Sequence, residues 1–208
     1  MKKLLALILS AALFLSLAAV FSACAPKGPT FSLRIEGNTE NIFYGDVELE
    51  EGMTLKDALV AFDEKNDSVT LTGAADDYIT AVNGETAATF GGWDGWNYIV
   101  NGESPVTAMS GVTLSEGDEV VLYYGDPWGV GMAYPTVESK DGTVTFKTVS
   151  GSVANMKVKL GDTEYTTDKN GTITGIAPGE YTLSVELYAE NGLNLVYRFA
   201  PGYKITVN

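Results

Sequence analysis

The sequence predicts two β-rich units in series: an α+β domain with a single helix, then an all-β sandwich. Three observations carry this. The hydrophobic period is two around residue 31, becomes helical only between Thr54 and Phe62, and returns to two. Alternating segments end in Asn83-Gly84 and Asn101-Gly102, pairs that favour tight hairpins. From Val137 onward the chain reads as short strands and turns with no helical stretch.

In order, Phe31, Leu33 and Ile35 alternate with Ser32, Arg34 and Glu36, a half-buried strand. Ile42 to Leu49 reads as a second strand, with Gly45-Asp46 a candidate bulge. Leu55, Ala58, Leu59 and Phe62 mark one helical face, with Thr54 as N-cap and Asp57 in the first turn. The helix should stop between Asp63 and Asn66. Val69 to Thr72, Tyr78 to Val82, Trp96 to Val100 and Glu119 to Tyr124 follow as strands. One helix on a mixed sheet is a β-grasp-like layout.

Gly125 to Pro135, which contains glycines, two prolines, Trp128 and Tyr134, reads as a connection between domains. Beyond it, Val144 to Thr148, Asn155 to Leu160, Thr163 to Thr167, Gly171 to Ile176, Tyr181 to Leu187, Leu195 to Phe199 and Tyr203 to Val207 are separated by Asp-Gly, Gly-Asp, Asn-Gly and Pro-Gly turns. Strands at this spacing indicate a sandwich. The expected division is a signal segment 1–23, a tether 24–30, domains at 31–126 and 137–208, and a linker 127–136.

The N-terminus bears on location. Lys2 and Lys3 precede an apolar run from Leu4 to Phe21, and small residues lead to Cys24, the one cysteine of the chain. This is the pattern of a secretory signal. It resembles a bacterial lipoprotein signal with Cys24 as the lipidated residue. The expected location is the outer face of the cytoplasmic membrane or the periplasm. An uncleaved membrane helix is the other reading of the apolar run.

Composition narrows the chemistry. The chain has no histidine, the commonest general base and metal ligand. Its net charge of -14 disfavours nucleic acid as a partner. No triad, free-thiol nucleophile or phosphate loop can be assembled after the signal, so a non-enzyme without a cofactor is expected. Asp63-Glu64 with Asp67, and Asp76-Asp77, are carboxylate clusters that could hold calcium, but they lack EF-hand spacing and read first as solvated loops.

The densest signal is Gly91-Gly92-Trp93-Asp94-Gly95-Trp96-Asn97-Tyr98-Ile99-Val100-Asn101-Gly102-Glu103. A glycine-rich loop carrying Trp93 runs into a strand whose one face holds Trp96, Tyr98 and Val100, and whose other holds Asn97 and Ile99. The Trp96 face can be the core of a small domain or part of a ligand surface. Trp93, between glycine and aspartate, is harder to bury and is the better stacking candidate.

Taken with Tyr78-Ile79-Thr80-Ala81-Val82-Asn83-Gly84 before it and Glu116-Gly117-Asp118-Glu119-Val120 with Tyr123-Tyr124 after it, this segment resembles the bacterial domain similar to the C-terminal domain of transcobalamin and intrinsic factor. The resemblance spans about Phe31 to Asp126. It implies a cobalamin-like corrinoid as a possible ligand, held through Trp96 on the hairpin and a following loop at Ser110-Gly111. With no histidine to replace the lower axial base, a corrinoid would bind through its periphery. The expected binding set is Trp93, Trp96, Asn97, Tyr98, Asn101, Ser110 and Gly111, with a transporter as possible recipient. The other class of function is a structural or adhesive module contacting protein or glycan.

The second unit is similar to carboxypeptidase-regulatory-like and pilin B-type sandwiches of Ig-like or prealbumin-like fold, on Thr166-Thr167-Asp168-Lys169-Asn170-Gly171 and Ile176-Ala177-Pro178-Gly179-Glu180-Tyr181. The resemblance implies a spacer or stalk unit. Some such units carry a Lys-Asn cross-link, for which Lys147 or Lys159 with Asn208 are the candidates.

Overall fold

A computed structural model describes residues 28–126, 135–148, 151–195 and 204–208. The expected signal peptide, Cys24, Trp128, Tyr134 and most of both the linker and the Leu195–Phe199 strand lie outside them. The described chain is mostly β-sheet with one α-helix, and its sheets are open. This is consistent with an α+β and β-sandwich class.

The first half runs β1 (Thr30–Glu36), β2 (Asn41–Glu48), α1 (Leu55–Lys65), β3 (Leu71–Thr72), β4 (Ala81–Val82), β5 (Glu85–Thr86), β6 (Gly95–Val100) and β7 (Glu119–Gly125). The main sheet has the order β2-β1-β7-β6, with β1 and β7 parallel and the other neighbours antiparallel. A small antiparallel sheet, β3-β4-β5, stands beside it, its last two strands joined at Asn83-Gly84.

Helix α1 forms where the sequence places it. Thr54 accepts the Asp57 N–H (3.2 Å) and Asp57 accepts the Thr54 N–H (3.1 Å), a reciprocal cap that satisfies donors the first turn leaves open. Leu55, Ala58, Leu59 and Phe62 are all buried, and they pack with Phe31, Leu33, Ile35, Val120, Leu122 and Tyr124 into one core. The expected bulge at Gly45-Asp46 is not there. Gly45 pairs in register with Leu33, and the irregularity falls between Ile35 and Glu36, where the partner jumps from Phe43 to Asn41. That is the end where β1 turns back through Gly37 to Glu40, closed by a bond from Gly37 N to Glu40 O (2.9 Å).

The second half comprises β8 (Thr136–Lys140), β9 (Thr143–Thr148), β10 (Gly151–Ser152), β11 (Lys157–Leu160), β12 (Thr163–Thr166), β13 (Thr172–Thr174), β14 (Gly179–Glu186) and β15 (Lys204–Val207). β9 pairs with β8, β10 and β13, and a second sheet runs β12-β11-β14-β15. A separate core of Val144, Phe146, Met156, Val158, Leu183 and Val185 belongs to this half. Of the cross-link candidates, Lys147 stands 3.6 Å from Glu138, and the Asn208 carbonyl accepts the Gly142 N–H.

Among the described residues the halves meet through an excursion that the sequence does not announce. After β14 the chain turns at 188–194, and Leu193, 1% exposed, enters the core of the first half. Asn38 anchors it: its Nδ2 donates to Gly192 O (2.9 Å) and its Oδ1 accepts Asn194 N (2.7 Å). Both asparagines are buried, so these bonds are shielded from water.

Candidate functional site

The glycine-tryptophan loop joins the small sheet to β6, and the structure shows what holds it. Gly91 (φ +89°) and Gly92 (φ +81°) take left-handed backbone. At Gly92 the need is doubled, because a Cβ would stand 2.8 Å from Asp126 Oδ2. That same oxygen accepts the Trp93 N–H at 3.2 Å. The Trp93 backbone is thus fastened through its N–H to Asp126, just past β7, while the side chain is left outside.

A second fastening lies one residue on. Asp94 is 4% exposed, and its Oδ2 accepts the Phe90 N–H (3.0 Å) and the Tyr124 hydroxyl. Tyr124 is fully buried, and its oxygen also accepts Thr89 N–H (3.3 Å) and lies 2.9 Å from Thr86 O. Burial, then the bond to Asp94, pushes the phenol up to about 12, so it stays a neutral donor. Asp94 Oδ1 is buried with no hydrogen-bond partner among the described residues. The Tyr124 ring meets Trp96 edge-on at 5.5 Å and Phe90 at 5.9 Å.

From the second half, Asn191 Nδ2 donates to Phe90 O at 2.9 Å. The underside of the loop therefore rests on a polar and aromatic frame drawn from three distant stretches of chain.

On this frame the expected binding residues separate. Trp93 is 77% exposed, and Tyr78, 57% exposed, has its hydroxyl 3.7 Å from where a Gly95 Cβ would stand, beside the same loop. Trp96 takes the core alternative: it is 5% exposed and its Nε1 donates to Glu85 O at 2.8 Å. Asn97 spends its amide on Gly95 O (2.9 Å) and Gly125 O (3.2 Å). Asn101, at φ +51°, closes the hairpin by donating to Asp118 Oδ1 (2.9 Å) and accepting from Glu119 N (2.9 Å).

Tyr98, Ser110 and Gly111 gather at the opposite end of β6. The Tyr98 hydroxyl donates to Thr107 O, and a Cβ on Gly111 would fall 2.3 Å from Thr107 Oγ1. Ser110 gives its N–H (2.8 Å) and its hydroxyl to Asp77, which holds that carboxyl below its ordinary value. Trp93 precedes β6 and Tyr98 lies inside it, so the structure shows two groups: Trp93 with Tyr78 at the loop, and Tyr98, Ser110 and Gly111 around Thr107 and Asp77. Asp63, from the carboxylate clusters, accepts Leu71 N–H (2.6 Å) and ties α1 to β3. Asp94, Asp126, Tyr124, Phe90 and Asn191 carry the loop; Asp94 and Tyr124 stand within the quoted motifs, but sequence pattern gives none of the five a supporting role.

Residues 35–126 match the family described as "Domain of unknown function (DUF4430)". The match begins inside β1 and ends one residue past β7, so it takes in α1, the Trp93 loop and both groups, and leaves out Asn191. No curated protein matches the chain.

Proposed function

We propose that this chain is a non-catalytic binding protein that presents Trp93 as a stacking surface for a small flat ligand, a cobalamin-like corrinoid being the leading class. The observation that supports this reading is Trp93 itself. An indole 77% exposed costs solvation free energy, yet its backbone is fastened by Asp126 while neighbouring Asp94 is buried on Tyr124 and Phe90. With its backbone fastened, the indole has only two side-chain torsions left to fix when a ligand stacks on it. The resemblance to transcobalamin-type domains names the ligand class, and the match at 35–126 falls on the same stretch.

In this reading the first half is a β-grasp-like binding domain and the second an Ig-like support. Cys24 carries a lipid anchor at the outer face of the membrane, and a transporter receives the ligand. Tyr78 broadens the surface beside Trp93, while Trp96 acts from below by holding Tyr124. The corrin ring is met at its periphery, since the chain has no histidine to offer cobalt. A second reading, contact with surface glycan, is favoured by Tyr78: two exposed rings beside one loop also suit a sugar face.

The test is a titration of the chain from Ala25 onward with cyanocobalamin and cobinamide, following tryptophan fluorescence. Saturable quenching that disappears in Trp93→Ala, with the variant still folded, is expected. Absence of binding up to the millimolar range, where affinity is only about 4 kcal/mol, overturns corrinoid capture and leaves the glycan reading.

A further inference from the structure

We propose that the outer edge of β2, with the cleft between that strand and α1, accepts an extended basic peptide as an added strand. This surface is separate from the Trp93 loop and does not depend on its ligand.

The register supplies the pairing groups. Ser32 N–H reaches Asp118 O at 2.8 Å, so Ser32, Arg34 and Glu36 turn their backbone groups toward β7, and Phe31, Leu33 and Ile35 turn theirs toward β2. Their partners Val47, Gly45 and Phe43 are thereby engaged. The alternate residues Tyr44, Asp46 and Glu48 direct N–H and C=O away from the sheet. β2 is the outermost strand on that side among the described residues. A row of outward donors and acceptors at two-residue spacing is what a further strand pairs with.

Beside this edge lies a cleft of about 200 Å³, lined by Phe43, Val47, Ala61, Phe62 and Lys65. Phe43 and Phe62, in edge contact at 4.8 Å, give it an apolar floor. Every second side chain of an added strand points to the same face, so one of them can enter the cleft while the backbone pairs with β2.

Charge selects the occupant. Asp46 and Glu48 line the cleft, and Glu50 lines the adjoining one. Lys65, which lines both, is already paired with Glu48 at 3.2 Å. A second copy of this chain joined through the same edge would set Asp46 and Glu48 near their own counterparts, in a protein of net charge -14. An apolar residue flanked by lysines or arginines has no such conflict.

The probe is a fluorescein-labelled peptide, acetyl-Lys-Val-Lys-Leu-Lys-Val-Lys-amide, with a glutamate-for-lysine version as control, added to the full-length chain purified in mild detergent. Anisotropy should saturate with the lysine peptide and not with the control, and amide exchange should slow within residues 41–48. Asp46→Pro removes an outward N–H without touching the β1 ladder, and Ala61→Phe fills the cleft from a half-exposed helix position. Each should weaken binding tenfold or more with an unchanged circular dichroism spectrum. If Asp46→Pro fails to fold, Ala61→Phe alone decides. Absence of saturation, equal binding by Ala61→Phe, or protection outside 41–48 overturns the proposal. So does dimerisation of the chain that either variant abolishes, which would assign the edge to a second copy.

Discussion

Replacing Tyr124 by Phe removes one oxygen from beneath the glycine-tryptophan loop and leaves the ring against Trp96 and Phe90. Among the described residues three interactions go with it: the bond given to Asp94, the approach to Thr86 O at 2.9 Å, and the acceptor for Thr89 N–H at 3.3 Å. A hydrogen bond to a carboxylate is worth about 1.5–3 kcal/mol net, and a neutral one about 1 kcal/mol. Asp94 is 4% exposed and its other oxygen is already buried without a partner among the described residues, so water cannot readily take the place of the phenol. The expected loss is about 3 kcal/mol, which for a chain of this size lowers Tm by about 6–12 °C. Urea and thermal unfolding followed by circular dichroism measure it. Amide exchange across residues 86–94 should quicken more than in the core of the second half. A loss under about 0.5 kcal/mol, the range of an ordinary surface substitution, would refute the idea that Tyr124 and Asp94 hold the loop.

Trp96→Ala should cost about 3–5 kcal/mol as a core truncation, whereas Trp93→Ala should leave stability within about 0.5 kcal/mol, both read from urea midpoints. Asn191→Ala removes the bond to Phe90 O and the one accepted from Leu193 N–H and should cost about 1–2 kcal/mol, with faster exchange at 86–94 although the substitution lies in the other half of the chain. Burial, and after it the neighbouring Glu40, raises the Glu85 carboxyl above its ordinary 4.5, against the bond from Asn38 N–H. A raised acid stabilises the fold in full below the unfolded value and less as pH climbs through the folded one. Wild type should therefore lose stability relative to Glu85→Gln as pH rises from about 4.5 toward neutrality, checked by urea unfolding at a series of pH values.

Local signals were readable from the chain because each is satisfied within a few residues. Thr54 and Asp57 cap one another, Leu55 to Phe62 share a face, and Asn101-Gly102 closes a hairpin with positive φ at both positions. The Gly45-Asp46 bulge failed because a glycine in a strand has more than one use; here the ring of Phe43 lies 3.2 Å from where its Cβ would stand. For Trp96, alternation gave the face but not what covers it. The loop frame and the docking of the 188–194 turn were illegible for a different reason. Asn38 and Asn194 are 156 positions apart, Phe90 and Asn191 are 101 apart, and no local period links residues at such distances. Buried aspartates such as Asp94 read in sequence as turn residues, and only the docking of Tyr124 makes one a support.

The most direct test is calorimetric titration of cobinamide into wild type and Trp93→Ala under identical conditions. Covering about 100 Å² of the indole and stacking on its face are together worth about 3 kcal/mol, on the order of a hundredfold in Kd. The account predicts saturable heat with wild type, and a Kd weaker by about that factor in a Trp93→Ala protein that unfolds at the same urea concentration. Equal Kd values for the two proteins, or no binding heat with wild type, would contradict it.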